Sequence, residues 1–294
     1  HMVQHRFGGS WTERKLEALR EYLVQYQLIF TRNPKARMLK TIYVDAFAGT
    51  GEREAERHTI QPELFGYDAE VRGYQEGSVR KALSIRNKFH RYIFIESKPK
   101  HANALRKLLI TEFAELADRC AIHEEDANRW LREWCHSEDW RGQRAVVFLD
   151  PYGMNVEWAT IEAIARTKAI DLWVLFPFAI GASRMMPKDS APDSVWADKL
   201  TAIFGTEEWK SRFYGKSRKG NLFGDQGSIV RIAGVDDILT FFLERLRSVF
   251  ARIVEQPMIL ENSKHTPMYA LCFAAGNPRG APTAVKIAAY LTRP

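Results

Sequence analysis

Thr41-Ile-Tyr-Val-Asp-Ala-Phe-Ala-Gly-Thr-Gly51 is the most informative segment of this chain for predicting its fold. Its first four residues are β-branched or aromatic, which is typical of a strand that is covered on both faces. Asp45 stands where we expect this strand to end. The small residues after Phe47 suit a tight turn that a ligand can approach closely. The stretch therefore predicts a buried strand that leads directly into a ligand-binding turn.

The pattern around this stretch predicts an α/β fold. Apolar runs predict further strands at 91–96, 119–123, 144–149 and 169–176, with helical periodicity between them. This alternation implies parallel strands with right-handed crossovers. Two last strands, at 253–260 and 267–274, complete a mostly parallel seven-stranded sheet with one antiparallel strand near the end. A long amphipathic helix precedes the first strand, and we expect it to pack on the sheet rather than to cover the ligand.

Two segments interrupt this alternation. Residues 52–76 are polar and charged, and they are either a functional lid or a mobile loop. Residues 181–234 show no clear strand, and we expect them to form an inserted region that recognises a target or a partner. The α/β domain would then comprise residues 1–180 and 235–294. Between the fourth and fifth strands, Asn155 is expected to cap the next helix.

Composition narrows the class of protein. The chain of 294 residues has a net charge of +7 and a pI of about 9.3, which suits either a nucleic-acid partner or a merely basic enzyme. Its three cysteines and eight histidines show no metal-ligand spacing, so we expect no metal and a reducing compartment. We find no signal peptide, and no apolar run is long enough to span a bilayer. These features predict a cytoplasmic protein.

Four predicted strands are followed by acidic residues. Asp45 precedes Gly49 and Gly51, and the other acids are Glu96, Asp126 and Asp150. In open α/β sheets, ligands bind at the carboxyl ends of the strands, near the point where the strand order reverses. Glu96 could accept hydrogen bonds from two ribose hydroxyls, and Asp126 could accept one from an adenine amino group. Any one acid could instead be a helix cap, but together they favour a nucleotide-like ligand.

This arrangement resembles the class I S-adenosylmethionine-dependent methyltransferases. Asp45 to Gly51 is similar to the first motif of that class, and Asp150-Pro-Tyr-Gly153 is similar to its Asp/Asn-Pro-Pro-aromatic motif without the second proline. The resemblance implies a Rossmann-like fold with helices on both faces of the sheet. It also implies that S-adenosylmethionine is bound by Asp45, Ala46, Phe47, Gly49, Gly51, Glu96, Ser97, Asp126, Ala127 and Asp150.

The same resemblance suggests methylation of an exocyclic amino group of a base in DNA or RNA. The Asp150 carboxylate and the Pro151 carbonyl could each accept one N–H of the amine, which would localise its lone pair for attack on a methyl group. Tyr152 could stack on the base, which in a duplex would first be flipped out. The alternative is that Asp150 to Gly153 form an ordinary turn between a strand and a helix.

A basic segment at 210–219 is the candidate nucleic-acid contact. It contains five basic residues, no acids and two aromatic rings. Cations suit phosphates and rings suit bases, so binding should weaken with salt. The predicted contacts are Lys210, Arg212, Tyr214, Lys216, Arg218 and Lys219. A solvated basic loop would have the same composition.

A closer resemblance covers nearly the whole chain. Tyr43-Val-Asp-Ala-Phe-Ala-Gly, the late Gly77-Ser78, Phe94-Ile-Glu and Pro267-Met-Tyr-Ala-Leu-Cys-Phe-Ala resemble the three-Cys-motif partner protein family. The cysteines in that name belong to the partner. The resemblance implies a three-Cys-motif protein as a partner. It also keeps open an alternative function, an S-adenosylmethionine-binding subunit of a phage- or defence-related system with little activity alone.

Overall fold

The computed structural model describes residues 10–47, 77–151, 154–216, 229–262 and 264–293. In the first half of the chain, helices and strands alternate. The strands are β1 (Lys40–Phe47), β2 (Arg91–Glu96), β3 (Cys120–His123), β4 (Gln143–Leu149) and β5 (Ile170–Phe176). The helices are α1 (Ser10–Arg32), α2 (residues 77–83), α3 (Pro99–Glu112), α4 (Ala127–Ser137) and α5 (Trp158–Arg166). Strands β2 to β5 begin and end within one residue of their expected bounds.

These five strands pair in parallel in the order β3-β2-β1-β4-β5. The chain adds β2 and β3 on one side of β1 and then returns to add β4 and β5 on the other. The strand order therefore reverses between β1 and β4, and this is where an open α/β sheet offers a crevice for a ligand.

The described residues of the segment after β5 include two α-helices and a pair of short strands. They are α6 (Ser194–Phe204), α7 (Glu208–Phe213), β6 (Tyr214–Lys216) and β7 (Ile229–Arg231), with β6 and β7 antiparallel. The expectation that no strand lies between 181 and 234 is wrong, because three-residue strands are too short to show a periodicity in the sequence. Leu200 and Phe204 of α6 pack into the same core as Trp158 of α5. The role of this segment in recognition stays a prediction.

The end of the chain closes the sheet. Helix α8 (Val235–Val249) leads to β8 (Arg252–Ile253), β9 (Met258–Glu261), β10 (Pro267–Ala275) and α9 (Ala281–Leu291). Strand β10 pairs antiparallel with β5, and β8 and β9 both pair antiparallel with β10. Since β8 and β9 share one edge of β10, they act as one interrupted strand. The sheet is thus mostly parallel with one reversed strand, as predicted.

Helices cover both faces of the sheet. Along β1, Ile42 and Val44 belong to a core cluster with residues of α4, α5, α6 and α8. Tyr43 belongs to the opposite cluster, with residues of α1, α2, α3 and α9. Because both faces are covered, all seven residues of β5 are buried, which accounts for a run that is apolar apart from Asp171. The prediction of a Rossmann-like α/β fold is confirmed.

Helix α1 packs on the sheet, as expected. Leu19, Tyr22 and Leu23 are at most 1% exposed. The Tyr22 ring lies 5.3 Å from that of Trp173 in β5 and 4.9 Å from that of Phe273 in β10. The middle of this helix therefore packs against β5 and β10. Within the described residues, no helix is long and apolar enough to cross a membrane.

Candidate functional site

Strand β1 continues past Asp45. Asp45 pairs with Phe94 of β2 and Phe148 of β4, and Phe47 pairs with Glu96 at the end of β2. The expectation that the strand ends at Asp45 is wrong, because β2 extends the ladder by two residues, to Phe47, and β4 extends it by one, to Ala46. Asp45 is consequently a strand residue with its carboxylate inside the protein, two residues before the carboxyl end of β1.

The Asp45 carboxylate is fully buried. Its Oδ2 accepts a hydrogen bond of 3.1 Å from the Tyr43 hydroxyl, and its Oδ1 has no hydrogen-bond partner among the described residues. Burial, followed by repulsion from Asp150, raises its pKa to about 8, although hydrogen bonds from Ser78 and Tyr43 and the charge of Lys15 act in the opposite direction. Asp45 is therefore a carboxyl group that can hold a proton near neutral pH.

Gly77 allows α2 to approach this site closely. A Cβ atom at Gly77 would lie 3.0 Å from Cδ1 of Leu16 in α1, so a larger residue would require that side chain to move. Ser78 follows directly, is buried and donates a hydrogen bond to Asp45. The Gly77-Ser78 pair thus joins α1, α2 and β1 at one point.

Asp150 lies beside Asp45, at the end of the neighbouring strand. Its backbone N–H points to the carbonyl of Ala46, with N and O 3.4 Å apart. Its Oδ2 accepts a hydrogen bond of 2.7 Å from the Lys15 ammonium of α1, and both side chains are buried. Burial raises the pKa of Asp150, and Lys15 lowers it. Two carboxylates and one ammonium therefore converge at the crevice where the strand order reverses.

Lys15 belongs to the candidate site, and its place there was not expected from the sequence. It is fully buried, with its Nζ 5.7 Å from the centre of the Phe148 ring. Burial lowers its pKa to about 8, although Asp150 and Asp45 both favour the charged form. A signal was present: Lys15 stands at helical spacing with Leu19, Tyr22 and Tyr26, on the stripe that packs against the sheet. A lysine on an apolar stripe is unusual and needs a buried partner.

Glu96 lies at the end of β2, next to the end of β1. Its side chain is fully buried, and its Oε1 accepts a hydrogen bond of 2.7 Å from the backbone of Lys98. Its Oε2 lies 3.6 Å from Nδ1 of His101. Ser97 follows immediately and is partly exposed. This carboxylate therefore stabilises the turn into α3, and Glu96 pairs with Phe47 in the register of β1 and β2.

Asp126 is the N-cap of α4. Its Oδ1 accepts a hydrogen bond of 2.8 Å from the backbone N–H of Arg129. Ala127 is buried. The Trp130 ring lies 4.7 Å from that of His123, the last residue of β3. The capping bond accounts for an acid at this position, and a contact with an adenine base stays a prediction.

The basic segment is partly neutralised within the protein. Lys210 pairs with Glu207 at 2.6 Å, and Arg212 pairs with Glu244 at 2.8 Å. The Tyr214 ring is buried and its hydroxyl donates to the Pro187 carbonyl at 3.1 Å. This ring would have to leave the core to stack on a base. Lys216 is exposed at the end of β6.

Several predicted site residues lie outside the described residues. They are Gly49, Gly51, the 52–76 insertion, Tyr152, Gly153, Arg218 and Lys219. For Phe47, only the backbone is described. The structure brings together five predicted residues on three neighbouring segments: Asp45 and Ala46 in β1, Glu96 at the end of β2, and Asp150 and Pro151 directly after β4. Lys15 is added from α1.

Comparisons with known proteins give similar folds only. No protein-family model matches this chain, and no curated protein sequence matches it. Similar solved structures include a Legionella pneumophila protein of family DUF519, with 12% identity and a TM-score of 0.45 over 96% of this chain and 91% of that one. They also include the Escherichia coli methyltransferase candidate yhhF, with 16% identity and a TM-score of 0.33 over 59% and 72% of the two chains. Spermidine synthase from Thermotoga maritima has 11% identity and a TM-score of 0.39 over 91% and 60%.

Proposed function

We propose that this chain is an S-adenosylmethionine-dependent methyltransferase that methylates an exocyclic amino group of a base in DNA or RNA. One observation carries the proposal: Asp45 and Asp150, on neighbouring strands at the point where the strand order reverses, converge on a single buried ammonium, that of Lys15. Burial of a carboxylate costs free energy, and buried carboxyl groups with shifted pKa values are concentrated at functional sites.

The charges at this point suit a cationic cofactor. A bound cation would favour ionisation of Asp45, and the two carboxylates would then exceed the ammonium of Lys15 by one negative charge. The Asp45 Oδ1 without a partner among the described residues is a further acceptor for a positively charged ligand. S-adenosylmethionine would supply an electrophilic methyl group on a cationic sulfonium. Its methionine part would be held at Asp45 to Gly51, its ribose by Glu96 and Ser97, and its adenine beside Asp126 and Ala127.

The acceptor amine would be held by residues 150–157, which we call the acceptor loop. The Asp150 carboxylate and the Pro151 carbonyl would each accept one N–H, while Tyr152 stacks on the base. Because Lys15 pairs with Asp150, it favours the ionised carboxylate, the form that accepts hydrogen bonds from an amine. Lys15 therefore acts through Asp150, as a positioning residue. The net charge of +7 and the exposed Lys216 would favour the approach of a polyanion.

A second function is favoured by the same ion pair. Since Lys15 already occupies Oδ2 of Asp150, the pair could be purely structural. The chain would then be an S-adenosylmethionine-binding subunit that needs a three-Cys-motif protein or another partner for activity. Asp45, Glu96 and Asp126 would serve either function, whereas only the methyltransferase needs Asp150 to meet an acceptor.

Calorimetric titration with S-adenosylmethionine, followed by transfer of a labelled methyl group to unmodified DNA and tRNA, tests the proposal. We expect the wild-type protein to bind the cofactor and to label one nucleic acid. Asp150→Asn should reduce transfer at least about 100-fold, because the neutral amide is a weaker acceptor and one of its two groups is a donor. The matched control is Asp139→Asn, whose carboxylate is exposed on the surface.

Each outcome has a clear meaning. No cofactor binding would contradict both functions. Cofactor binding without labelling, in the absence of a partner, would support the subunit function. Labelling that survives Asp150→Asn would leave the enzyme class intact and remove Asp150 from the mechanism.

A further inference from the structure

Asn128 in the first turn of α4 makes three hydrogen bonds to the far end of the acceptor loop and the helix that follows. Its Nδ2 donates to the carbonyl of Asn155 at 2.7 Å. Its Oδ1 accepts from the backbone N–H of Glu157 at 3.0 Å and from the hydroxyl of Thr160 at 2.8 Å. The side chain is only 6% exposed. One amide thus joins the helix capped by Asp126 to the segment that follows Asp150.

These bonds correct the expectation for Asn155. Helix α5 begins at Trp158 with Glu157 as its N-cap, and Glu157 makes no side-chain capping bond. Asn128, from another helix, satisfies the Glu157 N–H instead. A helix cap can be predicted from the sequence when the capping residue directly precedes its own helix. Here the capping side chain comes from about 30 residues earlier in the chain, so no local pattern indicates it.

The bonds also fix the acceptor loop at its second end. Asp150 is held at the first end by Lys15 and by the carbonyl of Ala46. Asn155 and Glu157 are held at the other end by Asn128. Arg132, one turn further along α4, pairs with the Glu157 side chain. Pro151 and Asn155 line the same small cavity, so the bonds from Asn128 hold a neighbour of Pro151 in place.

We propose that Asn128 is a positioning residue for the acceptor loop, which sets the loop against the cofactor-binding end of α4. Only an amide can serve here, because one group must donate to a carbonyl while the other accepts from an N–H and a hydroxyl. A shift of about 1 Å in such a loop can cost about 100-fold in rate. The inference rests on the proposed methyltransferase function.

Three variants test this role. Asn128→Asp keeps the acceptor oxygen and replaces the donor with an oxygen that repels the Asn155 carbonyl. Asn128→Ala removes all three bonds. Thr160→Val is the matched control, because it removes only the bond to α5 and leaves both bonds to the loop. For each variant, we would measure the cofactor Kd, kcat and KM for the labelled nucleic acid, and hydrogen exchange at the Glu157 amide.

The positioning role predicts a specific pattern. Both Asn128 variants should lower kcat/KM for the nucleic acid at least about tenfold, with the cofactor Kd changed by less than about twofold. Exchange at the Glu157 amide should accelerate in Asn128→Ala and stay slow in Thr160→Val, which should keep kcat/KM within about twofold.

Two results would overturn the inference. Wild-type kcat/KM in both Asn128 variants, below their unfolding temperature, would show that Asn128 only stabilises α5. A wild-type protein that binds S-adenosylmethionine and methylates no nucleic acid would overturn this inference together with the proposed function. An active wild-type protein with unchanged Asn128 variants would overturn this inference alone.

Discussion

The ammonium of Lys15 lies 2.7 Å from Oδ2 of Asp150, although 135 positions separate the two residues in the chain. The bond joins the amino-terminal helix to the end of β4. Helix α1 is thus part of the candidate site as well as part of the core. Breaking a buried ion pair on one side leaves an uncompensated charge, which is far more costly than losing an exposed pair.

Lys15→Met should therefore lower the free energy of unfolding by about 3–5 kcal/mol. The buried Asp150 carboxylate would lose its partner, and its pKa would rise further. The double variant Lys15→Met/Asp150→Asn should recover part of this loss, because no charge then remains to be buried without a partner. Urea denaturation of the two single variants and the double variant gives the coupling energy as a double-mutant cycle.

Lys81→Met is the control for this prediction. Lys81 pairs with Glu17 at 2.7 Å, but the two side chains are 40% and 50% exposed, so the expected loss is below about 1 kcal/mol. Equal losses for Lys15→Met and Lys81→Met would contradict a buried, coupled pair.

Asp45→Asn should change how stability depends on pH. Because burial raises the pKa of Asp45 from 3.8 to about 8, between these values the folded protein holds a proton that the unfolded chain has lost. Wild-type stability should then fall as pH rises through this window, by at most about 1.4 kcal/mol per pH unit from this group. Asp45→Asn removes this contribution, so its stability relative to wild type should increase from pH 5 to pH 8.

Denaturation curves at several pH values between 5 and 8 would measure this difference. The lowered pKa of Lys15, about 8, affects stability mainly above this range, and Asp150 is present in both proteins. A constant difference between Asp45→Asn and wild type across the range would show that Asp45 ionises normally.

Tyr22→Phe should destabilise the protein more at high pH than at low pH. The Tyr22 hydroxyl donates a hydrogen bond of 2.7 Å to Oδ2 of Asp171, whose pKa burial raises to about 6. Without this donor the pKa of Asp171 rises further, so the ionised form becomes harder to bury. We expect a loss of about 1–3 kcal/mol at pH 8 and a smaller one at pH 4.

Tyr26→Phe is the matched control, measured by the same denaturation series. Tyr26 lies one turn further along α1 and is also buried, but no hydrogen bond from its hydroxyl is found within the described part of the chain. Its substitution should have little effect at either pH. A pH-independent loss in Tyr22→Phe would mean that Asp171 does not depend on this bond.

Gly205→Ala should disrupt the contact between α6 and α5. Gly205 ends α6 with φ of +67°, and a Cβ atom there would lie 2.0 Å from Cδ1 of Trp158. The left-handed backbone and the clash together should cost about 2–4 kcal/mol. Thermal and urea denaturation would measure the loss. Gly142→Ala is the control, since nothing lies within 4 Å of the Cβ position there. A neutral Gly205→Ala would contradict this packing.

Local patterns in the amino-acid sequence are enough to predict the order of the elements and the acids at the strand ends. Strands β2 to β5 could be predicted because covered strands need continuous β-branched and aromatic runs, which few other structures produce. Glu96 and Asp150 could be predicted as strand ends because a polar residue stops such a run. Both signals depend only on neighbouring residues in the sequence, so these predictions do not require the tertiary structure.

The contacts of these acids depend on the packing of the whole chain and could not be predicted from local patterns. The partner of Asp150 is a lysine on another helix, the support of the acceptor loop is an amide from α4, and β1 continues past Asp45 because two neighbouring strands extend its ladder. Each depends on residues that are distant in the chain and meet only after the sheet has formed. Burial then sets their chemistry, because desolvation and a neighbouring charge shift the pKa of a side chain, and neither can be read from its position in the sequence.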